Sequence, residues 1–98
     1  MLKKALFVKL HAKPGKEQEL EDFLMQGYEM SKDEEKTITW HALKFDDSTF
    51  GVFDTFESEE GREAHLNGDI AAALMSKKDE LLAQDPKIEK IDLLAVKR

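Results

Sequence analysis

The stretch from Trp40 to Met75 reads WHALKFDDSTFGVFDTFESEEGREAHLNGDIAAALM, and the order of elements within it decides the fold. Thr37 to Phe45 is rich in β-branched and aromatic residues, Asp46-Asp47-Ser48 carries turn chemistry, and Thr49 to Phe56 is a second run of the same kind. Two such runs around a short polar turn predict a β-hairpin. Ser58 is placed to cap a helix that runs to about Leu66, with Glu59 and Glu60 in its first turn where the macrodipole favours acids. Asn67-Gly68 then breaks the chain. Asp69 is expected to cap a second helical segment from Ile70 to about Gln84, with Ile70, Leu74, Met75, Leu81 and Leu82 on its apolar side and Asp85-Pro86 as its stop.

Upstream of the hairpin, Leu6, Val8 and Leu10 alternate with Phe7, Lys9 and His11, which predicts a strand over Lys4 to Ala12. Pro14-Gly15 ends it. Lys16 to Ser31 predicts a helix, because Leu20, Phe23, Leu24, Gly27 and Tyr28 share one stripe at 3.6-residue spacing. Lys32 to Lys36 reads as a solvated connection. Downstream, Ile88 to Lys97 predicts a last strand with apolar residues on both sides. The resulting order, β-α-β-β-α-β, is that of the ferredoxin-like α+β fold, an antiparallel four-stranded sheet with its helices on one face, formed by a single domain over residues 1–98. Helices can cover only one side of that sheet. With apolar residues on both faces of the first and last strands, the second face predicts sheet-to-sheet pairing into a homodimer.

Composition narrows the function. Fifteen basic and 21 acidic residues leave a formal charge of −6, so no face gathers enough Lys and Arg to neutralise a phosphate backbone and nucleic acid is not expected as a partner. No apolar run reaches the roughly 20 residues that cross a bilayer, and Met1-Leu2-Lys3-Lys4 leads into the first strand without a small-residue cleavage site, so a cytoplasmic protein without membrane contact is expected. The absence of cysteine removes disulfides, thiolate metal sites and a cysteine nucleophile. His11, His41 and His65 show no metal-ligand spacing, so no metal is expected. Single glycines at Gly61 and Gly68 lack a phosphate-loop context.

The segments ALFVKLHAKPGKEQELEDFL, TFGVFDTFESEEGREAHLNG and IEKIDLLAVK resemble the antibiotic biosynthesis monooxygenase family of dimeric α+β barrels, which includes quinol monooxygenase-like proteins. The resemblance is carried most specifically by Phe56 at a strand end, followed nine residues later by His65 within Ala64-His65-Leu66. It implies a cavity between sheet and helices in each subunit, and oxidation of a small aromatic substrate by O₂ with no cofactor. Many relatives carry Trp where Phe56 stands, so an indole N–H is missing there. The haem-degrading branch of the fold uses an Asn on the first strand and a Trp near the end of the third, both absent here, so haem degradation is not expected.

On this resemblance His65 is the candidate catalytic residue, an imidazole that accepts a proton from a phenol or holds a developing oxyanion. Its alternative is a hydrogen-bonded structural histidine. Standing near the end of a short helix, it is expected to be removable with little loss of core volume. Trp40, Phe53 and Phe56 are candidates for an aromatic wall against the substrate, or else core. Tyr28 is a further substrate-binding candidate, pointing into the cavity or bonded to backbone. Asp54 interrupts an apolar strand, and is expected to face solvent or to pair with Arg62 or a lysine.

Overall fold

The computed structural model describes residues 1–98. Its elements are β1 (Lys4–His11), α1 (Glu17–Ser31), β2 (Thr39–Lys44), β3 (Thr49–Phe56), α2 (Glu59–Leu66), α3 (Asp69–Leu81) and β4 (Lys87–Asp92). The four strands form one antiparallel sheet in the order β2-β3-β1-β4, the ferredoxin-like arrangement expected from the order of elements.

Register explains the two faces. Leu6 lies opposite Asp54, Val8 opposite Val52 and Leu10 opposite Phe50, while Trp40 and Ala42 of β2 meet Asp54 and Val52 from the other side. Because side chains alternate along a strand, this whole row points toward the helices. There Leu10, Phe50 and Ala12 pack with Leu20 and Leu24 of α1 and with Leu81 and Leu82 at the end of α3. The opposite row brings Phe7 edge-on to Phe45, with ring centroids 6.3 Å apart, and sets Phe53 beside His41. Phe45 on this face is exposed.

Local chemistry fixes the connections. Gly15 takes a left-handed φ of +88°, which only glycine adopts freely, and the chain turns there into α1. The Ser58 hydroxyl accepts a hydrogen bond from the Gly61 amide at 3.2 Å, capping α2 as its position predicted. Arg62, one turn on, is buried and donates from one guanidinium nitrogen to the backbone carbonyls of Ala5 on β1 and Ile91 on β4, at 3.2 and 3.1 Å. Its other nitrogens reach both oxygens of Glu59.

Several sequence expectations are corrected. The last strand stops at Asp92 rather than Lys97, because Asp92 already lies opposite Lys4 at the start of β1, and after the Leu93 amide bonds to the Lys3 carbonyl no strand remains to pair with. Leu94 is fully exposed. Asp69 begins α3 instead of capping it: the cap position is Gly68, with no side-chain bond to the helix. α3 ends at Leu81, since Leu82 is extended and bridges Ala12. β2 begins at Thr39, and Thr37 before it turns its hydroxyl to donate to Glu34 at 2.8 Å. Asp54 neither faces solvent nor pairs with Arg62; it is 1% exposed and meets a histidine.

Candidate functional site

Asp54 sits in the row of β3 that carries Phe50, Val52 and Phe56 into the core, so its carboxylate is taken out of water. An unpaired charge there would cost several kcal/mol. The compensation comes from His65, the seventh residue of α2, whose Nε2 lies 2.9 Å from Asp54 Oδ2. On the other side of the ring, Nδ1 donates to Glu34 Oε1 at 2.6 Å. Glu34 belongs to the charged link between α1 and β2, so that link is not a purely solvated connection. Lys36 of the same link pairs with Glu60 of α2. The three groups form a line, carboxylate, imidazole, carboxylate, from the interior to the surface.

This line sets the charge of the ring. Burial disfavours imidazolium, but Asp54 and then Glu34, each bonding and attracting the cation, outweigh it and raise the His65 pKa from 6.5 to about 9. At neutral pH His65 is therefore a cation with both ring protons committed. The basic group left facing the interior is Asp54. Because the folded-state pKa is raised, the stabilisation is fully present below about 6.5 and is lost as pH rises through about 9. Melting temperature is expected to fall over that window in wild type. In Glu34→Gln the His65 NMR titration midpoint should move down. A His65 midpoint at or below 6.5 in wild type would show that the two carboxylates do not hold the ring as a cation.

Beside Asp54 and His65 lies an apolar cavity of about 50 Å³ between sheet and helices, closed by Leu6 and Val52 below and by Ile70, Ala71 and Leu74 of α3 above. Trp40 lines it from β2. Its Nε1–H is buried without a partner, and so is Asp54 Oδ1, while Oδ2 has only the contact with His65. Room for the indole comes from Gly27 in mid-α1, where a Cβ would stand 3.2 Å from Trp40 Cζ2. Glycine inside a helix costs about 1 kcal/mol relative to alanine, so the close approach of the ring is bought at the helix's expense. Behind His65 a separate groove of about 400 Å³ opens outside, lined by Glu34, Gly61, Gly68 and Asp69 among others. His65 is thus part of the wall between an apolar interior and an acidic exterior.

The residues singled out from sequence fall into two groups. His65 and Trp40 line the same cavity. Phe56 is fully buried with its ring 5.6 Å from that of His65, a packing neighbour and not part of the cavity lining. Phe53 lies on the opposite sheet face against His41, and Tyr28 is exposed on α1 under Lys32, so neither reaches the cavity. Two site groups were not singled out. Asp54 had a signal, since period-2 counting places it with Phe50, Val52 and Phe56. Glu34 had none, because only the tertiary fold brings its link to α2. No three His, Asp or Glu side chains converge on a common point that could hold a metal ion; Glu34 and Asp54 address opposite nitrogens of one ring.

The chain is 56% identical to a protein of unknown function from Nitrosomonas europaea, over 100% of this chain and 95% of that one, with a TM-score of 0.97, and it belongs to the same family. A protein from Pseudomonas aeruginosa superposes with a TM-score of 0.82 at 22% identity, covering 97% of each chain. A candidate antibiotic biosynthesis monooxygenase from Nitrosomonas europaea superposes with a TM-score of 0.83 at 15% identity, over 94% of this chain and 90% of that one. At those identities the likeness shows a common fold. No family model matches the chain, and no curated protein matches it.

Proposed function

We propose that this protein is a cofactor-independent monooxygenase that oxidises a small phenolic, quinol or polycyclic aromatic substrate with O₂. The observation that carries the reading is the buried Asp54 carboxylate, ion-paired to His65 through Oδ2, with Oδ1 unpartnered, in the lining of an apolar cavity. That carboxylate is the acceptor placed to take the substrate's hydroxyl proton. The electron-rich aryl oxide then reduces O₂ as a new carbon–oxygen bond forms, giving a peroxide. The proton held on Asp54 returns to that peroxide. Cleavage of its O–O bond with loss of the ring hydrogen releases water and leaves a quinone, so phenol and O₂ give quinone and water. The imidazolium of His65 stabilises the carboxylate rather than acting as the base itself.

The test is oxygen consumption by the purified protein with a panel of quinols and anthrones, with EDTA present. Quinone should appear in step with O₂ uptake, and a panel with no uptake above a heat-treated control would refute the reading. A second reading is favoured by the cavity's 50 Å³, which is smaller than an aromatic ring: a non-catalytic ligand-binding or stress-related dimeric module of the same fold. Ligand binding without any O₂ uptake would select it.

The assembly belongs to the same proposal. Phe7, Leu43, Phe45, Phe53 and Ile91 share the sheet face away from the helices, and covering them in a two-fold homodimer would bury on the order of 2,000 Å². Light scattering should give twice the 11.2 kDa chain mass. A monodisperse particle of one chain mass at micromolar concentration would rule out the dimer.

A further inference from the structure

The cavity lining contains an unusual pair. Trp40 Nε1–H is a buried donor with no acceptor, and Asp54, directly across the β2–β3 ladder and 1% exposed, is a buried acceptor with free capacity. They do not satisfy each other. Leaving either group bare costs about 1–3 kcal/mol, so something with both donor and acceptor character is needed between them. A water molecule meets that requirement, and 50 Å³ holds one. So does a hydroxyl group, whose oxygen accepts from the indole while its hydrogen donates to the carboxylate. A carboxylate ligand does not, since it has no proton to give and would face Asp54 as a like charge. A methyl group does not, since it leaves both groups unpaired.

We propose that this pair is a hydroxyl clamp, and that the cavity binds neutral single-ring ligands end-on through one hydroxyl seated between Trp40 and Asp54. The proposal deepens the functional reading above and rests on its placement of the ligand in this cavity. Water occupies the clamp when no ligand is bound, and the ligand hydroxyl reproduces both of its bonds, so displacement carries no polar penalty. The ring is accommodated by outward movement of α3, whose Ile70, Ala71 and Leu74 are the lid of the cavity and whose start at Gly68 has no side-chain cap. Gly27 gives the indole of the clamp its room, because a Cβ there would stand 3.2 Å from Trp40 Cζ2. Selectivity follows from the paired groups: a site built to bond a hydroxyl rejects the analogue that lacks it.

Phenol, toluene and benzoate form the experimental set, titrated into the full-length protein by calorimetry and by ¹H–¹⁵N NMR. Trp40 is the only tryptophan, so its indole N–H gives one unambiguous signal. Phenol should bind roughly ten- to a hundredfold more tightly than toluene, shift the indole resonance downfield, and outcompete benzoate entirely. Asp54→Asn should reduce phenol affinity about tenfold and leave toluene unchanged, and Trp40→Phe should do the same by calorimetry should the Asn variant not fold. Leu74→Ala, which enlarges the lid end of the cavity, should tighten phenol binding. Equal affinities for phenol and toluene, or unchanged phenol affinity in both clamp variants, would overturn the proposal. So would a failure of phenol to bind both the wild type and Leu74→Ala at millimolar concentration. Phenol binding with the expected selectivity but no quinol oxidation would leave the clamp standing and remove the catalytic reading. Quinol oxidation with no phenol–toluene discrimination would do the reverse.

Discussion

His65→Ala is expected to destabilise the protein by about 3–5 kcal/mol, the usual cost of removing one partner from a buried ion pair. Its position near the end of a short helix suggests a much smaller loss, because little apolar volume disappears. The larger figure arises from what remains: Asp54 is buried beneath the ring, and without the imidazolium its carboxylate must either stay charged and unpaired or take up a proton. Urea denaturation at pH 7 would measure the change. Pairing the substitution with Asp54→Leu should recover much of the loss, since removing both charges together leaves neither stranded. A cost below about 1 kcal/mol for the single variant would mean that the ion pair contributes little to stability.

Asp54→Asn is the counterpart for activity. The amide keeps the shape of the carboxylate and cannot take a proton, so quinol-dependent O₂ uptake should fall by about 10²-fold or more, the scale of general base catalysis. The same variant removes the charge that contributes most to raising the His65 pKa, so the ring's titration midpoint should move down toward its ordinary value. His11→Ala and His41→Ala are the controls. His41 bonds through Nδ1 to the Phe53 carbonyl on the outer sheet face, remote from the cavity, and its loss should leave the rate within about twofold of wild type. Wild-type turnover in Asp54→Asn would move the base to another residue.

What the sequence revealed and what it concealed divide along physical lines. The fold was legible because it depends on short-range signals: alternation in β1 and β3, the polar turn at Asp46 to Ser48, the Ser58 cap, and the break at Asn67-Gly68. Strand ends were less legible, because β4 stops where its partner runs out and nothing in Leu93 to Lys97 announces that. In the site, His65 and Trp40 stood out by residue type. Phe53 and Tyr28 stood out for the same reason and lie elsewhere, since aromatic character does not say which face of the sheet or helix a ring occupies. Asp54 could have been placed by counting in twos from Phe50. Glu34 could not, because its partner is 31 positions away and the link that carries it has no periodicity.

Arg62 gives the architecture a division of labour. By bonding the carbonyls of Ala5 and Ile91 it clips α2 across two neighbouring strands at a point one turn before His65, and Glu59 holds the guanidinium in place from the same helix. The helix is therefore moored to the sheet by one residue and takes part in the cavity through another. A chain built this way can exchange its cavity-facing side chain without casting off the helix, provided that Asp54 changes with it, so new chemistry at position 65 comes as a matched pair with position 54 while the mooring at 62 is kept.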